Sequence, residues 1–559
     1  MSSLQEIGAF LGSSPGDLLY KCQNSAKTAL LLLVLLLSGC HAAPTTASLS
    51  GGHGALQGVV RYGGLTTDVN SLNPVLASVS GETRVDGAIF SGLVKFDDHQ
   101  TIVPDLAMVV PSVSNGGIST DRLTIIYHLR HSVTWQDGTP FSASDVTFTF
   151  PKIADPKVNA ASFATYSHVE RISAPDDYTV VIRLKAPWAP AVERLFSGGT
   201  IIPRHLLDRS ADFNHDAFGL HPIGTGPMRL QRWERSSRIV LVPNEHYFGG
   251  APKVHAVEIP IVPDANTRLT LLKAKELDAA QINSPGQVAD LRNLPGYHVS
   301  LVPNPFLRML TFNVTRPPFS DVRVRQALAL ALDRPRLVQV TYLGTAFPAR
   351  SLIPPFSWAY DDNNSAPAHD PQRANNLLTK AGWIRGPDGI RHAAGRSFSF
   401  TLIVFSGSTV AKALATQIQQ AWREIGADVS ILPQPLNVLA SPTGLLTTGN
   451  FDVAVDSIVL RPDPDRTNIL GSQFIGTRGA NDARYASAES DRLAAQATAV
   501  YPQAERKPIY AELQRLWNRD LPYVPLAWED RIYAVSSQLR NFKPEPIQSD
   551  LWNVEKWQI

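Results

Sequence analysis

The chain has 559 residues, with 51 Lys and Arg against 49 Asp and Glu. That length exceeds one ordinary core, so two or three domains or lobes are expected. Charge is nearly balanced and comes in no block of one sign, which points away from a nucleic acid or a strongly acidic partner. The 42 prolines and 4 methionines suit a loop-rich, β-containing fold better than a helix bundle. Cys22 and Cys40 are the only cysteines. A disulfide, a thiolate metal site or a Cys nucleophile is therefore excluded beyond residue 40.

Lys21 and Lys27 precede an apolar run over residues 29–37, which ends in Leu37-Ser38-Gly39-Cys40. A basic region, a short apolar run and small residues before a cleavage point are the parts of a secretory signal. The run is far shorter than the ~20 residues needed to span a bilayer. Leu-Ser-Gly-Cys resembles the bacterial lipobox, which implies cleavage before Cys40 and lipidation of its sulfur. Residues 1–40 thus read as a lipoprotein signal peptide. Residues 41–56, rich in Ala, Thr, Ser and Gly, read as a flexible tether.

Ordered structure is expected from near Gly58. Residues 59–62 read as a strand and 63–74 as a turn-rich loop. Residues 82–93 place Val85, Ile89 and Leu93 at helical spacing. Residues 123–130 are β-branched and alternating, and lead into 133–141 with the turn pair Asp137-Gly138, so a hairpin region is expected. Ser142 then reads as a helix N-cap with Asp145 completing a capping box. Residues 178–184 form another strand.

Residues 221–250 carry Gly224-Thr225-Gly226-Pro227, an alternation through Met228, Leu230, Ile239 and Leu241, and then Gly249-Gly250. Two antiparallel strands and a turn are expected. A Gly-Thr-Gly triplet invites a phosphate-loop reading, but Pro227 and strand residues follow it, not Lys-Ser/Thr and a helix. Further on, residues 321–333 read as a helix with Val324, Leu328 and Ala331 in its core stripe. Arg323 and Arg325 near its start oppose the helix dipole and call for a carboxylate such as Asp321. Residues 370–382 read as a helix capped by Asp370 and stopped at Gly382. Residues 398–405, 410–426 and 428–432 read as strand, helix and strand of an open α/β sheet. The junction Ser406-Gly407-Ser408-Thr409 sits at the carboxyl end of a strand, where such sheets bind ligands.

Several of these pieces, taken in order, carry a resemblance. They are Ser71-Leu72-Asn73-Pro74, Trp135-Gln136-Asp137-Gly138-Thr139-Pro140-Phe141 and Gly224-Thr225-Gly226-Pro227. Asn244 to Gly250 follows, with Phe248 where the pattern has Trp. Residues 261–278 match with Lys275 for Gly, as do residues 313–334, and Leu521-Pro522-Tyr523-Val524-Pro525-Leu526 closes the series. Over about residues 58–545 the chain is similar to the extracytoplasmic solute-binding proteins of peptide/nickel-type ABC importers. The resemblance implies an α/β, two-lobed periplasmic-binding-protein-like fold of the large peptide-binding class, with mixed sheets and a ligand cleft between the lobes. Residues 57–282 with 525–559 would form lobe I and 283–524 lobe II, with a hinge between. It implies a monomer that takes a peptide, a peptide-like or cationic small molecule or a metal chelate. Its partners would be an ABC permease with its ATPase, and the membrane through a lipid anchor on Cys40.

Enzymatic signatures are absent beyond residue 40: that part of the chain has no Gly-x-Ser-x-Gly elbow, His-Glu-x-x-His or complete Walker loop. His215, His221, His246 and His255 read as solvated or structural. No catalytic residue, metal or cofactor is expected. For ligand binding, peptide-binding members of the resembled family anchor the α-ammonium on an Asp three residues before an Asp-Pro pair. Matching that pair to Asp463-Pro464 puts Leu460 at the anchoring position and Ser457 where Trp is frequent. Losing that carboxylate forfeits a charge-assisted hydrogen bond of about 1.5–3 kcal/mol. Asp456, Asp463 or Asp465 can compensate, or can cap turns around Pro462 and Pro464. Arg461 and Arg466 can meet a ligand anion, or can pair with Asp463 and Asp465. The remaining candidates are Thr66, Thr67 and Asn70 of the first loop, Ser406 and Gly407, and Trp358, which follows Pro354-Pro355-Phe356.

Overall fold

The computed structural model describes residues 58–559, apart from 78–79, 161, 442, 477–478 and 546. The expected signal sequence, Cys40 and the tether lie outside the described residues. One 11-stranded sheet organises the rest. Its order is Asp428–Gln434, Ser399–Phe405, Val453–Val459, Tyr297–Phe312, Tyr523–Ser536, Ala279–Ile282, Val59–Gly63, Ala256–Pro260, Arg238–Pro243 and Met228–Glu234. Ala346–Pro348 adds to Tyr523–Ser536.

The two central strands are 16 and 14 residues long, well beyond the usual length of about 5–6. They pair antiparallel from Tyr297 opposite Ser536 to Thr311 opposite Tyr523. One apolar core, drawn from residues 60–279 and 533–557, lies toward one end of this pair; a second, from residues 310–527, lies toward the other. The fold is two-lobed and mixed α/β, with the long strands running from one lobe to the other.

Local chemistry explains the elements that frame the cleft. Ser142 caps the helix Ala143–Ala154 by accepting the Ser144 N–H, and Asp145 returns the bond to the Ser142 N–H at 3.0 Å. Gly226 donates its N–H to the Ile89 carbonyl at 2.8 Å, and a Cβ at Gly224 would lie 1.9 Å from that same oxygen. The Gly-Thr-Gly-Pro turn thus allows a strand to approach the end of the helix Ser80–Ile89; no anion cradle forms. Met228–Glu234 and Arg238–Pro243 pair antiparallel as expected. Ser399–Phe405, the helix Thr409–Glu424 and Asp428–Gln434 form the parallel unit read from the sequence.

The turn at Asp137-Gly138 closes residues 133–141 into a short hairpin, with a Thr134–Pro140 bridge and the Trp135 N–H donating to the Thr139 carbonyl at 2.8 Å. Thr124–His128 pairs with Thr179–Leu184. One expectation changes: Arg325 finds no carboxylate. Its guanidinium donates to the carbonyls of Phe319, Asp520 and Leu521, capping the end of the helix Gln503–Asp520. Arg323 does pair with Asp321, at 2.6 Å. Among the described residues no helix is long and apolar enough to cross a membrane.

Candidate functional site

The strand registers locate the cleft. In one lobe Val59–Gly63 runs parallel to Ala256–Pro260 and Ala279–Ile282; in the other Ser399–Phe405 runs parallel to Asp428–Gln434 and Val453–Val459. The carboxyl end of the first set, Ile282, pairs with Ile532. The carboxyl end of the second, Val459, pairs with Phe306. Both sets therefore end facing one another over the middle of the long strands, near residues 302–306 and 529–532. Open α/β sheets bind ligands beyond such carboxyl ends.

Two cavities border the loop that follows Val453–Val459, and the smaller opens over the middle of the long strands. The larger, about 670 Å³, is lined by Thr101, Ile102 and Glu193 on one side and by Trp358, Pro462, Asp463, Tyr501 and Arg506 on the other. The smaller, about 320 Å³, is lined by Asn304, Phe306 and Arg308 of one long strand and Glu529, Asp530 and Arg531 of the other, with Asn283 and Ser408 at strand ends of the two lobes. The loop after Val453–Val459 borders both. Val459 lines the smaller cavity and Pro462 and Asp463 the larger.

Polar contacts in the larger cavity are strong. Arg506 grips the Asp463 carboxylate with two bonds of 2.7 and 2.8 Å, and its guanidinium lies over the Trp358 ring, 5.2 Å from the centroid. Both oxygens of Glu193 accept the Asp463 N–H at 3.2 Å. Burial, reinforced by the Asp463 charge, raises the Glu193 carboxyl above its ordinary range. The lobes also meet where the Ala189 N–H donates to the Thr498 carbonyl at 2.7 Å and the Tyr501 hydroxyl to the Trp188 carbonyl at 3.1 Å.

The residues expected from sequence divide accordingly. Trp358 and Asp463 line the larger cavity. Arg461 lies in the field of Glu193 and Glu545, and burial and the Arg194 charge lower its pKa. Leu460 is buried in an apolar cluster with Trp517 and Tyr523, and its N–H donates to the Pro305 carbonyl at 2.7 Å. Asp456 lies apart, lining a third cavity of about 260 Å³ with Asp482. It accepts the Thr311 hydroxyl and the Ser457 N–H, and burial raises its pKa. Asp465 caps the turn by accepting the Thr467 N–H, and Arg466 donates through Nε and Nη1 to the carbonyls of Leu352, Asp463 and Asp465, leaving its buried Nη2 without a partner. Thr66, Thr67, Asn70, Ser406 and Gly407 line neither interlobe cavity. Ser408, one residue on, does, and caps the helix Thr409–Glu424.

Sequence reasoning missed Glu193, Arg506, Asn304 and Asp530. Arg506 is 43 residues from Asp463, so no local spacing links them. Asn304 had a readable signal: Pro303-Asn304-Pro305 inside an otherwise strand-like run removes two ladder donors and marks a bulge. Among the described residues no group of three or more His, Cys, Asp or Glu could hold a metal ion.

Comparison with known proteins agrees with this geometry. The oligopeptide-binding protein AppA of Bacillus subtilis is 26% identical over 551 residues, covering 95% of this chain and 98% of that protein. The glutathione-binding protein GsiB of Escherichia coli is 27% identical over 482 residues, 85% and 90% of the two chains. Among solved structures, NikZ from Campylobacter jejuni in complex with Ni(L-His) matches with a TM-score of 0.80 at 25% identity, covering 90% of this chain and 100% of that one. AppA with a bound nonapeptide matches with a TM-score of 0.78, also at 25% identity, covering 90% and 99%. A family model matches residues 101–481, and with it the chain belongs to the bacterial extracellular solute-binding proteins of family 5.

Proposed function

We propose that this solute-binding protein is a monomeric, lipid-anchored receptor that captures a peptide or peptide-like solute between its lobes and delivers it to an ABC permease with its ATPase. The observation that carries the reading is the meeting of both sets of strand carboxyl ends over one cleft, with a cavity of about 320 Å³ in it and one of about 670 Å³ beside it. Both volumes suit a small-molecule or short-peptide ligand, for which pockets of roughly 300–1,000 Å³ are usual. Relatives named for oligopeptides, for glutathione and for a nickel–histidine complex support a ligand class with amino-acid character. The lobes divide at 57–282 with 525–559 and at 283–524, and solute binding closes one on the other. Trp358 and Asp463 face the solute. The anchor is Cys40, held off the membrane by residues 41–56.

Mass spectrometry of whatever solute the purified protein retains tests the ligand class. A retained peptide or amino-acid conjugate is expected; a retained lipid or sugar would refute it. Metabolic labelling with a fatty-acid analogue tests the anchor. Wild-type protein takes up label and Cys40→Ala does not; equal labelling of the two would exclude that anchor.

A further inference from the structure

The middle of the long strands carries a bulge. Val302 stands opposite Arg531 and Phe306 opposite Glu529, so Pro303, Asn304 and Pro305 face Asp530 alone. The prolines have no N–H for a ladder, and the strand bows around them. The bowed segment is tied down on both sides: Gln100 Nε2 donates to the Pro303 carbonyl at 3.0 Å, and the Leu460 N–H to the Pro305 carbonyl at 2.7 Å. Asp530 is fixed through its own N–H, which donates to the Thr345 carbonyl at 3.0 Å. Asn304 and Asp530 both line the 320 Å³ cavity.

Most charges around this cavity are already committed. Arg308 pairs with Glu529 at 2.8 Å, and Glu529 also accepts the Tyr342 hydroxyl at 2.6 Å. Arg84 and Arg531 both pair with Asp550, at 2.7 and 3.3 Å. Two groups are left over. The half-buried Asp530 carboxylate has no hydrogen-bond or ion-pair partner among the described residues, and burial alone lifts it to about 6. Asn304 is 5% exposed, yet its side-chain oxygen has no hydrogen-bond partner. Buried amides are ordinarily satisfied, and a half-turn of this amide presents either its oxygen or its NH₂ to the cavity. What is missing is a donor, and beside a carboxylate the fitting donor is a cation.

We propose that the cavity over the bulge seats an ammonium group of the bound solute, with Asp530 as its anionic anchor and the Asn304 amide as its hydrogen-bond acceptor. The inference rests on the receptor reading and adds where the solute's positive end lies. An ammonium carries three donors and no acceptor, which matches two unfilled acceptors on a wall whose guanidiniums each already hold a carboxylate partner. It also accounts for Leu460. That residue carries no charge because its backbone anchors the bulge while its side chain fills the core; the carboxylate is supplied across the bulge instead.

The test uses the purified protein and a pool of peptides from a tryptic casein digest, offered once with free amines and once with every primary amine acetylated. Captured peptides are counted by mass spectrometry after gel filtration. Wild-type protein is expected to capture at least about tenfold more from the free-amine pool, and Asp530→Asn and Asn304→Leu each to lose about that factor while melting at the wild-type temperature. Asp530→Ser replaces Asp530→Asn if the latter does not fold. Equal capture from the two pools, or undiminished capture by a folded Asp530 variant, overturns the ammonium site and leaves the receptor reading standing. Capture from neither pool by wild-type protein overturns the peptide-receptor reading, and the ammonium site with it.

Discussion

Asp463 shows how much of a cleft residue's role is settled by a partner far away in sequence. Its side chain is buried in the grip of Arg506, and breaking one side of a buried pair leaves a charge without compensation. Arg506→Met should therefore cost about 3–5 kcal/mol in urea unfolding, and adding Asp463→Asn should restore part of that loss. If the single variant is as stable as wild type, the pair is not buried as described. Proton linkage is a second consequence at this scale. Burial raises the carboxyls of Glu545 and Asp482 to about 7 and that of Asp530 to about 6. The unfolded chain releases those protons near pH 4, so through the window from about 4 to 7 the folded chain binds more protons, and stability falls as pH rises. His168, held below its ordinary range by burial, opposes this below about 6.5, but it is one group against these three and Glu193, which is raised as well. Melting temperature should drop between pH 5 and 7.5, and Glu545→Gln should flatten the slope; a rise over that interval would contradict the assignment.

At the scale of elements, most of the fold was legible because it rests on local chemistry. The capping box of Ser142 and Asp145, the Asp370 cap and Gly382 stop, and the strand–helix–strand unit from Ser399 to Gln434 each follow from propensity and period. What was not legible depended on competition between distant segments. Thr124–His128 found its partner some 50 residues on, and Arg325 took helix-end carbonyls in preference to a carboxylate. The Gly224 turn was recognisable as structural, but the reason for its glycine lies in the packing against Ile89. Gly224→Ala forces a Cβ onto that carbonyl and should destabilise by about 1–3 kcal/mol. Gly286→Ala, where a Cβ meets nothing within 4 Å, should be close to neutral, and chemical unfolding of the two variants compares them directly.

At the scale of the whole molecule, two cores share one sheet, and the strands Tyr297–Phe312 and Tyr523–Ser536 are the elements long enough to belong to both. A bulge halfway along them bends the ladder where the carboxyl ends of both lobes converge. The architecture was foreseeable from motif order, but the position of the site along the cleft was not. It depends on register, and a two-residue difference in pairing would bring different side chains to the same place. The lobes now touch through Glu193 and Asp463, Ala189 and Thr498, and Trp188 and Tyr501, contacts that an opening about the long strands would break. The most direct measurement is small-angle scattering of the protein stripped of its retained solute, before and after that solute is returned. Capture by cleft closure predicts a smaller radius of gyration at unchanged mass; full occupancy by the solute with an unchanged radius would contradict it.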